Sequence, residues 1–189
     1  ALETLASESE VPIIGVIHSG ARAAAAATKN GRIGIIGTSG TVDSKIYPKT
    51  IKAIRPEVEV IQKACPLLVP LVEEGLTHDS VTDEIIRRYV SEIKQKYIDT
   101  LVMGCTHYPL LRSAIRRIMG SSVTLVNPAY ETAVELRELL RSKELLGSED
   151  NKAKHSFYVS DLAEKFRDFA SSILPQEVKE SIRIQIEEY

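Results

Sequence analysis

Five short apolar runs, each rich in isoleucine or valine and each followed by a segment of helical pattern, constrain this chain more than any other feature. They are VPIIGVI (11–17), RIGIIG (32–37), VEVIQKAC (58–65), DTLVMG (99–104) and SVTLVN (122–127). Strands that are apolar along most of their length are buried on both faces. Strands that alternate with helices run parallel, because the helix supplies the crossover. The expected fold class is therefore α/β, a doubly wound parallel sheet covered by helices. Its site is expected outside the carboxyl ends of the strands.

The intervening segments carry ordinary helix punctuation. ARAAAAATKN (21–30) reads as an alanine-rich helix that Gly31 closes. TSGTVDSKIYPKTIKAI (38–54) reads as a hydroxyl-rich loop and a helix kinked at Pro48. PLLVPLVEEG (66–75) is an apolar turn or short helix, and 80–97 is an amphipathic helix with Ser80 or Thr82 and Asp83 near its start. Pro109 is placed to open a helix over 109–119 that Gly120 ends. A long helix over 129–146, a polar connection over 147–154, HSFYVS (155–160), a helix over 161–173 and SIRIQIEEY (181–189) complete the order.

Composition removes several function classes. A net charge of −2 argues against nucleic acid or an anionic membrane as the main partner. No apolar run approaches the roughly 20 residues of a membrane span. Two cysteines make no dense disulfide framework. His18, His78, His107 and His155 are scattered, with no C-x-x-C or H-E-x-x-H spacing, so no metal is expected. GIIGTSG (34–40) spaces its glycines as G-x-x-G-x-x-G, not as the G-x-G-x-x-G of a dinucleotide site.

Four expected strand ends carry chemistry: His18-Ser19-Gly20, Thr38 to Thr41, Cys65 to Glu73, and Gly104-Cys105-Thr106-His107. Thr38 and Thr41 can hold a small anion such as a carboxylate at a helix start, or simply cap that helix. Cys105 is the sharper candidate. A free thiol titrates near about 8.5, and a helix start or a neighbouring imidazolium lowers that value. With Pro109 and His107 close by, Cys105 can serve as nucleophile or proton carrier. The plain alternative is a small buried hydrophobe beside a capping threonine.

GCTHYPLL (104–111) resembles the second cysteine motif of glutamate racemases, and IGVIHSGARAA (14–24), IGIIGTSGTVDSKIY (33–47) and ACPLLVPLVEEG (64–75) follow that family's order and spacing. The resemblance covers most of 11–146 and loosens over the last forty residues. It implies two similar α/β lobes with glutamate between them and two cysteines on opposite faces of the α-carbon, with no cofactor. Cys105 would be one acid/base thiol, His107 would support it, and Glu73 would bear on His107. Thr106 and His107 would contact glutamate, and Thr38 and Thr41 its carboxylates. Related aspartate racemases resemble Gly-Cys-Thr-Glu at this point, so His107 favours glutamate.

The family's Cys-Asn-Thr-Ala and Asp-Ser motifs are not found in this sequence. The expectation is a piece of a longer racemase, inactive alone, in which 18–126 form the second lobe and 1–17 with 127–189 belong to an incomplete first lobe. Cys65 lies in the family's ACPLLVP stretch and reads as structural. The resemblance further implies a bacterial cytoplasmic setting, D-glutamate for peptidoglycan, and a homodimer as one arrangement. An aspartate racemase, a single-cysteine decarboxylase and a non-catalytic module binding an acidic metabolite stay open as alternatives.

Overall fold

The computed structural model describes residues 2–148, 150, 154–174 and 178–188. These form two compact units, Ala1–Leu146 and Gly147–Tyr189. That division differs from boundaries at 17/18 and 126/127, and one unbroken helix crosses the first of those.

The first unit runs α1 (Leu2–Glu8), α2 (Val16–Ala27), β1 (Arg32–Gly37), α3 (Ser39–Asp43), α4 (Ile46–Ile54), β2 (Glu59–Ala64), α5 (Leu68–Glu73), α6 (Ser80–Lys94), β3 (Thr100–Gly104), a 3-10 turn (Tyr108–Leu111), α7 (Arg112–Met119), β4 (Thr124–Val126) and α8 (Pro128–Ser142). Its four strands are ordered β2-β1-β3-β4 and all pair in parallel. This is the doubly wound α/β sheet that the apolar runs require.

Alternation along β1 assigns the two layers. Ile33 and Ile35 pack with Ala21 and Ala24 of α2 and with Tyr47 and Ile51 of α4. Gly34 points the other way, where an added Cβ would lie 2.7 Å from Ile93 of α6. The connection from β1 to β2 and the one from β3 to β4 leave in opposite directions, so the chain diverges between the carboxyl ends of β1 and β3. Gly37 of β1 stands in register with Gly104 of β3 at that divergence. Ligands of open α/β sheets bind at such a switch point.

Four local expectations need correction. VPIIGVI (11–17) is not a strand: Gly15 is the extended N-cap of α2, and Val16 and Ile17 open the helix. The alanine run propagates helix backwards, and a short apolar run cannot by itself distinguish the two states. His18-Ser19-Gly20 consequently lies inside α2. There the small face allows close packing, since a Cβ on Gly20 would come 2.9 Å from Pro128. Gly31 does not close α2, whose C-cap is Thr28; with φ +76° it turns the chain into β1 instead. Pro48 sits in the first turn of α4, where a missing N–H costs nothing, and the break falls before it at left-handed Lys45.

The amino ends of the strands are tied by Asp99. Its carboxylate accepts hydrogen bonds from Thr28 Oγ1 (2.6 Å), Lys29 N (2.7 Å), Asn30 N (2.6 Å) and Thr100 Oγ1 (3.0 Å).

The second unit contains β5 (Tyr158–Val159), α9 (Ala163–Ile173), β6 (Ile182–Arg183) and a 3-10 turn (Ile186–Glu188), with β5 and β6 paired in parallel. Of the polar connection over 147–154, residues 149 and 151–153 lie outside the described residues. So does residue 189 of the last predicted segment.

Candidate active site

Cys105 follows β3 directly and is partly exposed. Its Sγ lies 3.8 Å from Nδ1 of His107, and Thr106 Oγ1 lies 3.4 Å from the same nitrogen. The other ring nitrogen, Nε2, stands 3.5 Å from Oε1 of Glu73 at the end of α5. The imidazole therefore bridges a thiol and a carboxylate. An Nε2–H turned to Glu73 leaves Nδ1 as an acceptor facing the sulfur, the tautomer that can take and return a thiol proton.

The loops meet because Tyr108 holds them. Its buried hydroxyl donates to the Cys65 carbonyl (2.8 Å), fastening the turn after β3 to the turn after β2. The 3-10 turn that Tyr108 begins carries Pro109, and the regular helix starts only at Arg112. The expected helix start four residues beyond Cys105 is thus a 3-10 turn. A helix dipole acts over its first turn only, so α7 begins too far along the chain to count as a helix start at Cys105.

A cavity of about 110 Å³ opens beside Cys105. Thr41, Tyr47, Cys105, Thr106 and Asn127 supply its polar wall, and Val16 and Ile17 part of its apolar wall. α2 and α8, whose first residues line it, are held together further along: Ser19 Oγ donates to Glu135 (2.5 Å), and Arg22 pairs with the same carboxylate. The Ser19 hydrogen bond, aided by Arg22 and opposed by desolvation, holds the Glu135 carboxyl below its ordinary range. Asn127 caps α8 by accepting from Ala129 N (3.1 Å), with Pro128 in the first turn.

The candidate residues divide accordingly. Thr41, Cys105 and Thr106 line the cavity, while His107 reaches the thiol and Glu73 reaches His107 without either lining it. Thr38 caps α3, its Oγ1 accepting from Thr41 N (3.4 Å) and lying 3.1 Å from Thr41 Oγ1. Capping and cavity lining are thus shared between the two threonines. Cys65 is fully buried and its thiol, pushed up to about 12 by burial, stays protonated. Tyr47 and Asn127 had no signal of their own in the sequence. Tyr47 fits the apolar pattern of α4, and Asn127 reads only as the last residue of the expected strand over 122–127.

A larger hollow of about 730 Å³ lies between α6 and α7, with Asp83, Arg87, Lys94, Tyr97 and Arg117 on its walls. No cysteine or histidine lines it, so the smaller cavity is the candidate site. Among the described residues, no group of three His, Cys, Asp or Glu side chains could hold a metal ion. No helix among them is long and apolar enough to cross a membrane.

A doubly wound lobe with a cysteine-centred site at its switch point narrows the class of protein considerably. Residues 1–136 match the family model described as Asp/Glu/Hydantoin racemase, and the chain belongs to that family. Within it, the chain is 49% identical over 166 residues to a glutamate racemase of Geobacter metallireducens, covering 88% of this chain and 62% of that protein. It is 42% identical over 183 residues to a glutamate racemase of Thermoanaerobacter sp., covering 97% of this chain and 69% of that one. Among solved structures, a Bacillus anthracis glutamate racemase isoform superposes with a TM-score of 0.91 at 36% identity, covering 98% of this chain and 69% of that chain. A Francisella tularensis glutamate racemase solved with D-glutamate superposes at 0.89 with 28% identity, covering 100% of this chain and 70% of that chain. The chain spans about two thirds of the length of the relatives it matches, 62% and 69% for the two named.

Proposed function

We propose that this chain is the part of a cofactor-independent glutamate racemase that carries one of its two acid/base thiols, Cys105. The observation that carries the reading is the alignment of Glu73, His107 and Cys105 beside a cavity at the switch point of the sheet. Relatives named glutamate racemase, and one solved with D-glutamate, support the choice of substrate.

In the proposed reaction the Cys105 thiolate removes the α-proton. The S–H bond forms as the C–H bond breaks, and the electron pair delocalises into the α-carboxylate. A second thiol on the opposite face then protonates that carbon, inverting it. His107 takes the Cys105 proton before the next turnover in this direction, or returns it in the other, with Glu73 setting the ring. Thr106, His107 and Thr41 hydrogen-bond glutamate, and Thr38 orients Thr41. Electrostatic positioning of donors stabilises the developing negative charge.

Cys65, buried and held protonated, does not suit the role of opposing thiol. The second thiol would come from outside these 189 residues, and this chain by itself would not racemise glutamate. In the longer enzyme, 18–126 would belong to the lobe carrying Cys105, and 1–17 with 127–189 to the other. The proposed setting is bacterial cytoplasm, with a homodimer as one arrangement and D-glutamate supplied to peptidoglycan precursors.

Two measurements test this. Either glutamate enantiomer is expected to slow alkylation of Cys105, and aspartate is not. In deuterated water neither glutamate enantiomer is expected to be converted into the other. Absence of glutamate protection sinks the substrate assignment, and two-way racemisation at an ordinary enzymatic rate sinks the need for an outside thiol.

A further inference from the structure

Tyr47 stands out among the cavity residues as a phenol set in an otherwise apolar cluster. The side chain is only 2% exposed and belongs to the apolar cluster between α2, α4 and the sheet. Yet its hydroxyl meets no hydrogen-bond partner among the described residues, and desolvation alone acts on it. Among the described residues the fully buried polar side-chain atom left unpaired is Gln62 Oε1, so the Tyr47 oxygen opens to cavity space, where water meets it in the free chain.

The direction of the ring explains where the bond would be made. A Cβ on Gly104 would come 3.3 Å from Cε2 of Tyr47. Cε2 adjoins the carbon that bears the hydroxyl, so the polar end of the ring stands over Gly104, one residue before Cys105. Tyr47 and Gly104 both line the cavity. Burial pushes the phenol up to about 12, so the group stays a neutral O–H at any working pH. It can donate a hydrogen bond but cannot serve as a base.

The chemistry of the remaining wall selects what it donates to. No charged side chain lines the cavity among the described residues. An anion entering such a space must be met by neutral donors, as oxyanions are in acyl-transfer sites. Thr41, Thr106 and Asn127 offer such donors, and Tyr47 adds one from the sheet side.

We propose that the Tyr47 hydroxyl is a substrate-binding donor, closing its hydrogen bond on a carboxylate oxygen of the amino acid whose α-carbon faces Cys105. The inference rests on the glutamate reading above and adds to it a binding residue.

The test is Tyr47→Phe, measured in two ways on the 189-residue chain. Calorimetric titration with D-glutamate and L-glutamate is expected to show binding weakened about 10- to 100-fold, the loss of one hydrogen bond to a charged group. Thermal unfolding without ligand is expected to show a midpoint within about 2 °C of wild type, since no hydrogen bond to the protein is lost. A merely structural tyrosine would give the opposite pair: lower stability and unchanged affinity. Wild-type binding that the substitution leaves within about twofold overturns this inference alone. A wild-type chain that binds neither enantiomer overturns the glutamate reading and this inference with it. Weaker binding joined to a lowered unfolding midpoint also overturns it, because damage to the fold would then explain both.

Discussion

Replacing Asp99 by alanine should cost this chain more stability than replacing any carboxylate on its open surface. The carboxylate accepts four hydrogen bonds, two from backbone N–H groups of Lys29 and Asn30 and two from hydroxyls of Thr28 and Thr100. Water can replace it at Lys29 and Asn30, which are exposed. It cannot readily do so at Thr28, 5% exposed, or Thr100, fully buried. Two buried hydroxyls deprived of their acceptor cost about 1–3 kcal/mol each. Since Thr28 keeps its bond from Gly31 N (3.1 Å), about 3 kcal/mol in all is a fair central value. That corresponds to a fall of roughly 10 °C in melting temperature for a domain of this size. Desolvation raises the Asp99 carboxyl, but the hydrogen bonds from Thr28, Asn30, Lys29 and Thr100 together outweigh it and hold it below its usual range. The folded pKa being the lower one, the unfolded chain takes up the proton first. The contribution is therefore complete above the unfolded value of about 3.9 and is lost as the pH falls through the folded value. Urea unfolding of wild type and Asp99→Ala, at pH 7 and again near pH 3, measures both effects, with Asp43→Ala as an exposed control. The difference should be large at pH 7 and shrink in acid. A loss below about 1 kcal/mol, or a difference that does not shrink with acidification, would refute the reasoning.

Iodoacetamide should label Cys105 in the native chain and Cys65 only after denaturation, because Cys65 is fully buried and burial pushes its thiol up to about 12; peptide mass spectrometry reads the order. Gly104→Ala should destabilise by about 1–3 kcal/mol, since its Cβ would fall 2.9 Å from the Ile36 carbonyl oxygen, a backbone atom inside the sheet that cannot turn aside. Urea unfolding checks it, and a neutral result would mean that β1 and β3 can separate at their carboxyl ends.

The strands at 32–37, 59–64 and 100–104 were legible because a strand buried on both faces has to be apolar along most of its length. The same signal misled at 11–17, where a run of that kind is equally compatible with the first turn of a buried helix. The alanines that follow settled the matter in favour of helix. Pro109 showed that chain direction changes after Cys105, but not that a 3-10 turn would intervene before α7. The trio Cys105, Thr106 and His107 was visible because its members are adjacent in the chain.

Adjacency and periodicity are properties of the chain itself, and they determined the fold class, the order of most elements and the presence of a thiol beside an imidazole. Which distant residues share that thiol's surroundings was decided only by tertiary structure. Glu73 arrives through the Tyr108 hydroxyl that joins two turns, Tyr47 through the packing of α4 on the sheet, and Asn127 through the cap of α8. The physical reason is that parallel strands bring their carboxyl ends together whatever the length of chain between them. Side chains that look like ordinary core or capping residues along the sequence thereby come to stand around one cavity.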